Sequence, residues 1–197
     1  VGCASVCESG VEADDWIGTI AKHAVVAAMP GVVASSDKDF MQLVGPLVAL
    51  ANPSDKPPKL WSADEVIAKT GVRPDQIVDW LSLVGDAVDN IPGVSGVGPK
   101  TATSLLNEFG TVRGIYDRLA EVKSERIRQA LQMARMDVSR NQDLVSLKVG
   151  LPGDFSMELF RVGPKTVGRL EQLYGSWGFR SLSEELERQQ PAQRELL

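Results

Sequence analysis

The sequence predicts an α/β region followed by an all-helical region, and two patterns carry this prediction. In residues 1–60, short apolar runs bounded by polar or proline-containing turns alternate with a segment of helical spacing. After residue 60, apolar residues recur at helical spacing, and serine or glycine punctuates the segments. We therefore expect three parts, which cover residues 1–60, 61–150 and 151–197.

The α/β region is expected to contain one helix and two strands. Residues 11–28 carry apolar side chains at helical spacing between Gly10 and Pro30, which favours a helix. Residues 32–35 and the stretch LVALANP, which Pro53 closes, are short apolar runs typical of buried strands, and FMQLV between them favours a helical turn. The polar, proline-rich stretch SDKPPK then predicts a hinge.

The helical region begins with a strong local signal. Ser62 and Glu65 have the spacing of a capping box, and Gly71 is placed to end the helix that they begin. Further helices are predicted, in chain order, for RPDQIVDWLSLVGD, KTATSLLNEFG, a single long basic segment SERIRQALQMARMDVSRNQDLV, and VGRLEQLYGSWGF. A polar end, SEELERQQPAQREL, follows the last of them.

The net charge of −5 conceals an uneven distribution of charge along the chain. Residues 1–97 contain 6 Lys/Arg and 13 Asp/Glu, whereas residues 98–140 contain 8 Lys/Arg and 5 Asp/Glu. An acidic half followed by a basic segment suits metal-assisted phosphate chemistry, in which carboxylates hold cations beside a surface that holds a polyanion.

Composition also excludes several classes of protein. An apolar content of 43% supports a real core, and no apolar run is long enough to span a bilayer. Cys3 and Cys7 are too few for a disulfide framework and, without His or Cys partners nearby, form a poor zinc site. We expect reduced, partly buried thiols in a cytoplasmic protein without a membrane partner.

Three groups of acidic residues stand at the edges of apolar elements. The first group, Glu12, Asp14 and Asp15, could simply be the acidic N-terminus of a helix, and the second, Asp37 and Asp39, could be a polar turn. The third, Asp86 and Asp89, lies at the C-terminal end of a helix, where the helix dipole disfavours acids. If the groups converge, their repulsion requires cations, and oxygen ligands without His or Cys select Mg²⁺ or Mn²⁺. Two such ions can activate a water and stabilise the leaving oxygen of a phosphodiester. The candidate catalytic and metal-binding residues are Glu12, Asp14 and Asp15, then Asp37 and Asp39, then Asp86 and Asp89.

A glycine-rich stretch, IPGVSGVGPKTATSLLNEFG, leads into a predicted helix. Glycines allow the backbone to approach a phosphate, and free N–H groups at a helix start bind anions. The stretch has neither the G-x-x-x-x-G-K-[ST] pattern of a P-loop nor the dinucleotide fingerprint. Between two helices it favours a helix-hairpin-helix that grips one DNA backbone without reading bases, with a plain interhelical turn as the alternative. The candidate DNA-binding residues are Gly93, Val94, Gly96, Val97, Gly98, Lys100 and Thr101.

Taken in order, GVEADD, SSDKDFMQLV and GDAVDNIPGVSGVGPKTA resemble the 5′–3′ exonuclease domain of bacterial DNA polymerase I and the related phage 5′ exonucleases and flap endonucleases. The resemblance covers nearly the whole chain. It implies part of a parallel-sheet, PIN-like nuclease core in residues 1–60 and a SAM-like helix-three-turn-helix DNA-binding domain in residues 61–150. Residues 151–197 would then form a helical C-terminal extension.

The resemblance also implies a function. The seven acids look like ligands, direct or through water, of two Mg²⁺ or Mn²⁺ ions. The loop from Gly93 to Thr101 looks like a duplex clamp, in which main-chain carbonyls could also hold K⁺. The expected reaction is hydrolysis of DNA near 5′ flaps, nicks or 5′ ends. A monomer, and a polymerase domain in the parent protein, are the corresponding expectations.

The family's first strand, with its own aspartate, and its helical arch have no counterpart in this sequence. We therefore expect a fragment or a truncated copy. The alternative is a duplex-DNA-binding module that has lost the nuclease front end. A metal-dependent ribonuclease built on a similar sheet is disfavoured by the DNA clamp.

Two further features stay open. The repeat of VGPKT at residues 97–101 and 162–166 is interpreted as coincidence, since this sequence is a natural way to begin a helix. Four arginines could contact phosphates or form a solvated helix face, namely Arg126, Arg128, Arg135 and Arg140.

Overall fold

The computed structural model describes residues 3–57, 59–153, 156–163 and 167–189. The chain divides into two units, of which the larger is Glu8–Gly153 and the smaller combines the residues before it with those after it. Cys3 and Cys7 are free, as expected, but they are exposed rather than partly buried. Within the described ranges, no helix is both long and apolar enough to cross a membrane.

The larger unit opens with a helix and a small sheet. Helix α1 (Ala13–Val26) precedes strand β1 (Gly31–Ala34), which pairs in parallel with β2 (Val48–Ala51). A third strand, β3 (Leu60–Trp61), pairs with β2 in the antiparallel sense. The predicted helix and two strands are confirmed, and a 3-10 helix (Asp39–Leu43) forms the expected helical turn. The sheet is mixed rather than purely parallel because β3 returns along β2, and a two-residue strand is too short to show alternation in the sequence.

The first helix after the sheet begins and ends at the predicted local signals, whereas the helix over Val112–Asp117 was not predicted. The Ser62 N–H donates to Oε2 of Glu65 (2.8 Å), and Oγ of Ser62 accepts the N–H of Asp64 (3.2 Å), so the capping box is present. Gly71, with a φ of 78°, ends the helix in the left-handed conformation that favours glycine. The helices are α2 (Ala63–Thr70), α3 (Ile77–Val84), α4 (Pro99–Phe109), α5 (Val112–Asp117), α6 (Glu125–Met133) and α7 (Arg135–Val145).

The prediction of one long basic helix is wrong, because this segment forms α6 and α7, which meet at Ala134. The backbone of Ala134 has a φ of −86° and a ψ of 6°. Next to the break, Oη of Tyr116 donates to the carbonyl of Leu131 (3.0 Å), and the Arg135 guanidinium lies 5.1 Å from the centroid of the Tyr116 ring. Tertiary contacts of this kind override local helix propensity.

After α7 the chain returns to the α/β elements. Oγ1 of Thr19 donates to the carbonyl of Lys148 (3.0 Å), and Nε2 of Gln42 donates to the carbonyl of Val145 (2.9 Å). The N–H of Leu147 donates to Oε1 of Gln42 (3.1 Å). One apolar cluster joins the sheet to the helical region. The expected boundary after residue 60 therefore marks a change of secondary structure inside one compact unit.

The described part of the smaller unit contains helices α8 (Val167–Trp177) and α9 (Arg180–Gln189). The first was predicted, whereas the second occupies a segment that was expected only to be polar. The rings of Tyr174 and Trp177 pack edge-on against Phe179, with centroids 6.3 and 5.7 Å away. The second VGPKT copy lies partly outside the described residues.

Candidate active site

A cavity of about 1190 Å³ brings together four segments of the larger unit that are distant in sequence. It is lined by the turn after β1, the end of α2, the loop between α3 and α4, and the start of α4. Its charged lining residues are Asp37, Lys38, Lys69, Asp86, Asp89 and Lys100. Two of the three predicted acidic groups thus contribute to the same cavity as the predicted DNA-binding loop.

The turn after β1 fixes the second acidic group. The N–H of Asp37 donates to Oγ of Ser35 (3.1 Å), and the N–H of Asp39 donates to Oδ1 of Asp37 (2.9 Å). Oδ1 of Asp39 is buried and has no hydrogen-bond partner. Burial and the neighbouring charges of Asp37 and Asp89 raise the pKa of Asp39 to about 7.

A short hairpin between α3 and α4 holds the third acidic group. Asp86 and Ile91 exchange backbone hydrogen bonds of 2.8 and 2.7 Å. The turn depends on close approach of two glycines, because a Cβ on Gly85 would lie 2.3 Å from the nitrogen of Gly93. Gly85 also has a φ of 79°, which favours glycine. The hairpin therefore places Asp86 and Asp89 beside the turn that carries Asp37 and Asp39.

The two carboxylates of the hairpin differ in environment. Burial opposes ionisation of Asp86, but Nζ of Lys38 lies 2.7 Å from its Oδ2, and the net result is a pKa below the usual range. The pKa of Asp89 is raised by burial and by the charge of Asp86. Lys38 thus neutralises one carboxylate of the site and leaves the other under repulsion.

The first acidic group, on α1, divides between two roles. The pKa of Asp14 is raised by burial and by the charges of Asp37 and Glu12, so Asp14 lies near the other two groups. Asp15 is buried and accepts the N–H of Lys148 (2.8 Å), whose Nζ lies 3.6 Å from it. Glu12 is exposed at the N-cap of α1 and makes no capping hydrogen bond. Asp15 therefore anchors the segment after α7 that contains Lys148. This role could not be predicted from the position of Asp15 in the sequence.

Five acids form what we call the carboxylate cluster: Asp14, Asp37, Asp39, Asp86 and Asp89. As placed, the described residues contain no group of three His, Cys, Asp or Glu side chains that could hold one metal ion. The donor chemistry nevertheless fits a hard divalent cation. All the donors are oxygens, and Oδ1 of Asp39 is buried without a partner. Burial, together with the neighbouring charges, raises the pKa values of Asp14, Asp39 and Asp89.

The predicted DNA-binding loop separates into buried and accessible residues. Val94 and Val97 are only 4% exposed each, so their side chains belong to the core and only their backbone is available. Gly96 has a φ of 77°, and Gly98 leads into α4. The side chain of Lys100 is exposed, and that of Thr101 is half-buried. The first N–H groups of α4 have no acceptor within the helix, as in any α-helix, and can bind an anion.

A buried residue that was not predicted from the sequence holds this loop in place. Nδ2 of Asn141, fully buried on α7, donates to the carbonyls of Ser82 (3.1 Å) and Pro92 (2.6 Å). Its spacing from Val138 and Val145, both buried, puts a polar residue on the apolar face of α7. A polar residue on an apolar helix face could have been identified from the sequence, because a buried amide needs hydrogen-bond partners.

The four arginines left open by the sequence fall into different environments. Arg128 pairs with Glu125, and Arg140 lies 3.2 Å from Asp137. The guanidinium of Arg126 lies against the loop instead, 3.3 Å from the Cβ position of Gly96. A solvated helix face thus accounts for Arg140, whereas Arg128 is half-buried and donates to the carbonyl of Val122 (3.2 Å), and Arg126 adjoins the candidate DNA-binding loop.

Two family models match adjoining parts of the chain. One, described as the N-terminal resolvase-like domain of 5′-3′ exonuclease, matches residues 1–71. The other, described as the C-terminal SAM fold of 5′-3′ exonuclease, matches residues 72–168. Together they confirm the predicted fold class, a nuclease-like α/β part followed by a SAM-like helical part.

Curated relatives match most of the chain but extend well beyond it. A DNA polymerase I of Rhizobium leguminosarum is 38% identical over 169 residues, which are 83% of this chain and 16% of that protein. A 5′-3′ exonuclease of Aquifex aeolicus is 34% identical over 189 residues, which are 95% of this chain and 63% of that protein. The chain therefore spans less than two thirds of the length of both relatives.

Solved structures of nucleases share the fold. The bacteriophage T5 flap endonuclease, in a pseudo-enzyme-product complex with DNA and metal ions, superposes with a TM-score of 0.64 at 27% identity and covers 71% of this chain and 51% of its own. The catalytic core of Rad2 in complex with DNA substrate gives a TM-score of 0.57 at 15% identity, over 90% of this chain and 61% of its own. The Rad2 likeness concerns the fold alone.

Proposed function

Since the chain belongs to the 5′–3′ exonuclease family, we propose that it carries out metal-dependent, structure-specific hydrolysis of DNA phosphodiesters near 5′ flaps, nicks or 5′ ends. The observation that carries this proposal is one cavity lined both by carboxylates and by the start of α4. Carboxylates and a helix start with an exposed lysine, Lys100, suit a site that holds cations and a phosphate together.

The ligands of the cations would be the carboxylate cluster, with Glu12 and Asp15 as predicted further members. Asp15 accepts the N–H of Lys148 on Oδ1, so its Oδ2, 3.6 Å from Nζ of Lys148, is the oxygen that would bind a cation. When bound, two Mg²⁺ or Mn²⁺ ions would supply an acidified water and charge neutralisation at the phosphate. Oxygen donors without His or Cys favour these ions over zinc.

The chain's own residues would orient the DNA and balance charge. Asp14, Asp39 and Asp89 are repelled by neighbouring carboxylates, Asp37 among them, and a divalent cation would relieve this repulsion. The loop from Gly93 to Thr101 would bind the duplex backbone through N–H groups and Lys100. A K⁺ ion held by the carbonyls of this loop is a further proposed ligand.

The partners follow from the same proposal. The substrate would be double-stranded DNA with a 5′ flap, nick or 5′ end, bound by a monomer. A polymerase domain in the parent protein is proposed because DNA polymerase I relatives extend well beyond the matched region. The two free, exposed cysteines suit a reducing, cytoplasmic location.

A duplex-DNA-binding module without catalysis is the competing candidate. One observation favours it, namely that no three-ligand group is formed by the described side chains as placed. The decisive experiment incubates the chain with a 5′-flap duplex in Mg²⁺, in Mn²⁺ and in EDTA. Cleavage that requires the divalent ion supports the nuclease. Duplex binding without cleavage in either metal supports the binding module and contradicts our proposal.

A further inference from the structure

Three lysines line the cavity, and they differ in what they contact. Lys38 forms the 2.7 Å ion pair with Asp86. Lys69 and Lys100 are both exposed, and across the described residues neither forms an ion pair with an acid. We call Lys69 and Lys100 the lysine pair. Their charge is therefore available to an anion that enters the cavity.

The structure fixes the lysine pair because the end of α2 is bound to the start of α4. Oγ1 of Thr103 donates to the carbonyl of Thr70 (2.7 Å) and accepts Nε1–H of Trp80 (3.1 Å). At Gly71, a Cβ would lie 2.6 Å from Cγ2 of Thr103, so the two helix ends are in close contact. Lys69 immediately precedes this junction on α2, and Lys100 lies three residues before Thr103 on α4.

A contact with an aromatic ring orients the side chain of Lys69. Its Nζ lies 4.8 Å from the centroid of the Trp61 ring, whose Nε1–H donates to Oδ2 of Asp55 (2.6 Å). Lys59 lies over the same ring at 5.5 Å but does not line the cavity. A merely structural function for Lys69 is available, because a lysine in the last turn of a helix complements the dipole and stacks on an aromatic ring. Lys59 also contacts the Trp61 ring but does not line the cavity, so it is a matched control for Lys69.

We propose that Lys69 binds a backbone phosphate of the DNA strand in this cavity, as a second cation beside Lys100. The inference rests on the proposed function and extends it, because Lys69 belongs to α2 and not to the loop from Gly93 to Thr101. The cavity, of about 1190 Å³, exceeds the roughly 300–1,000 Å³ of small-ligand pockets, so it can receive more than one nucleotide. In this arrangement the lysine pair binds one part of a DNA strand. The carboxylates, with their cations, act on a neighbouring part of the same strand.

The test is the salt dependence of DNA binding, measured by fluorescence anisotropy with a 5′-flap duplex in EDTA. Each phosphate contact contributes about 0.9 to the slope of log affinity against log salt for a duplex, and about 0.7 for a single strand. We expect Lys69→Met to reduce the slope by one such contact, whereas Lys59→Met leaves it unchanged. The double variant with Lys100→Ala should lose two contacts. Lys69→Arg should restore the slope, since the charge is kept.

The outcomes separate this inference from the proposed function. A structural function alone would lower the melting temperatures of Lys69→Met and Lys59→Met alike and leave both slopes equal to that of the unaltered chain, which would overturn the inference. A reduced slope for Lys69→Met, with no cleavage by the unaltered chain in Mg²⁺ or Mn²⁺, would uphold the phosphate contact and reject the nuclease. Absence of DNA binding by the unaltered chain would overturn both.

Discussion

Nζ of Lys38 lies 2.7 Å from Oδ2 of Asp86, inside a cavity that other carboxylates also line. Asp86 is only 5% exposed, whereas the lysine side chain is 38% exposed. The ammonium thus supplies positive charge to a buried carboxylate where a divalent cation would do the same. This ion pair has consequences for the stability of the chain in the absence of metal.

Lys38→Met should destabilise the chain in EDTA, because it leaves a buried carboxylate without its cation. Breaking a fully buried pair costs roughly 3–5 kcal/mol, and partial exposure of Lys38 reduces the expected loss to about 1–3 kcal/mol. Urea unfolding, in EDTA and at Mg²⁺ concentrations raised in 10-fold steps, would measure this loss in the free energy of unfolding. Mg²⁺ should recover more stability in the variant than in the unaltered chain. Arg73→Met, which breaks the exposed 2.9 Å pair with Asp75, should cost far less. Equal losses in the two variants would contradict this account of Lys38.

Asp39 should make the metal-free chain less stable as pH rises. Its folded pKa, about 7, lies above the unfolded value near 3.8, so the folded state binds its proton more tightly. The associated loss of stability begins above the unfolded pKa and is complete above pH 7. Asp39→Asn removes this contribution, so the variant should be the more stable protein at pH 8 in EDTA. The difference should shrink toward pH 4. Parallel stability profiles from pH 4 to 8 would refute the raised pKa of Asp39.

Asn141→Ala should weaken DNA binding although Asn141 itself is buried and does not contact DNA. The substitution removes the donor shared by the carbonyls of Ser82 and Pro92, and Pro92 belongs to the hairpin that leads into the candidate DNA-binding loop. Leaving buried acceptors unpaired costs about 1–3 kcal/mol of stability. Hydrogen exchange should accelerate at Val94, whose N–H donates to the carbonyl of Leu83 in α3 (2.8 Å). Ser139→Ala, on an exposed position of α7, is the control. Unchanged exchange at Val94 would show that the amide does not hold the hairpin.

Local signals in the sequence predicted much of the fold. The capping box of Ser62 and Glu65, the glycine after α2, and the apolar runs of β1 and β2 are each determined by residues within a few positions. The glycines between α3 and α4 likewise predicted a tight connection, and the close approach of Gly85 and Gly93 gives its physical reason. These features were predictable because their energetics are local.

What the sequence could not predict depends on contacts between distant residues. The break at Ala134 follows packing around Tyr116, and the strand β3 exists only as a partner of β2. Asp15 was grouped with Asp14 by sequence, yet its carboxylate holds the backbone of Lys148, 133 residues away. The side chain of Val94 packs in the core, so only its backbone is left for the predicted contact with DNA. In each case the deciding partner lies in another element of the chain.

The central claim is that the carboxylates of this cavity hold the cations of a phosphodiesterase. Asp89 tests it best, because Asp86 also holds the Val88 N–H (2.9 Å) and Lys38 and so has a structural function. Asp117→Asn, which removes an exposed carboxylate 3.7 Å from Arg113, is the matched control.

The most direct measurement is the single-turnover cleavage rate of a 5′-flap duplex in Mg²⁺, with duplex affinity measured in EDTA, for these two variants and the unaltered chain. Loss of even an indirect ligand commonly lowers activity by about 10–100-fold, so Asp89→Asn should lose at least that much. Its duplex affinity should stay equal or rise, because a negative charge near the phosphates is removed. Asp117→Asn should match the unaltered chain in both. Unchanged cleavage by Asp89→Asn would contradict the ligand assignment on which the proposed function depends.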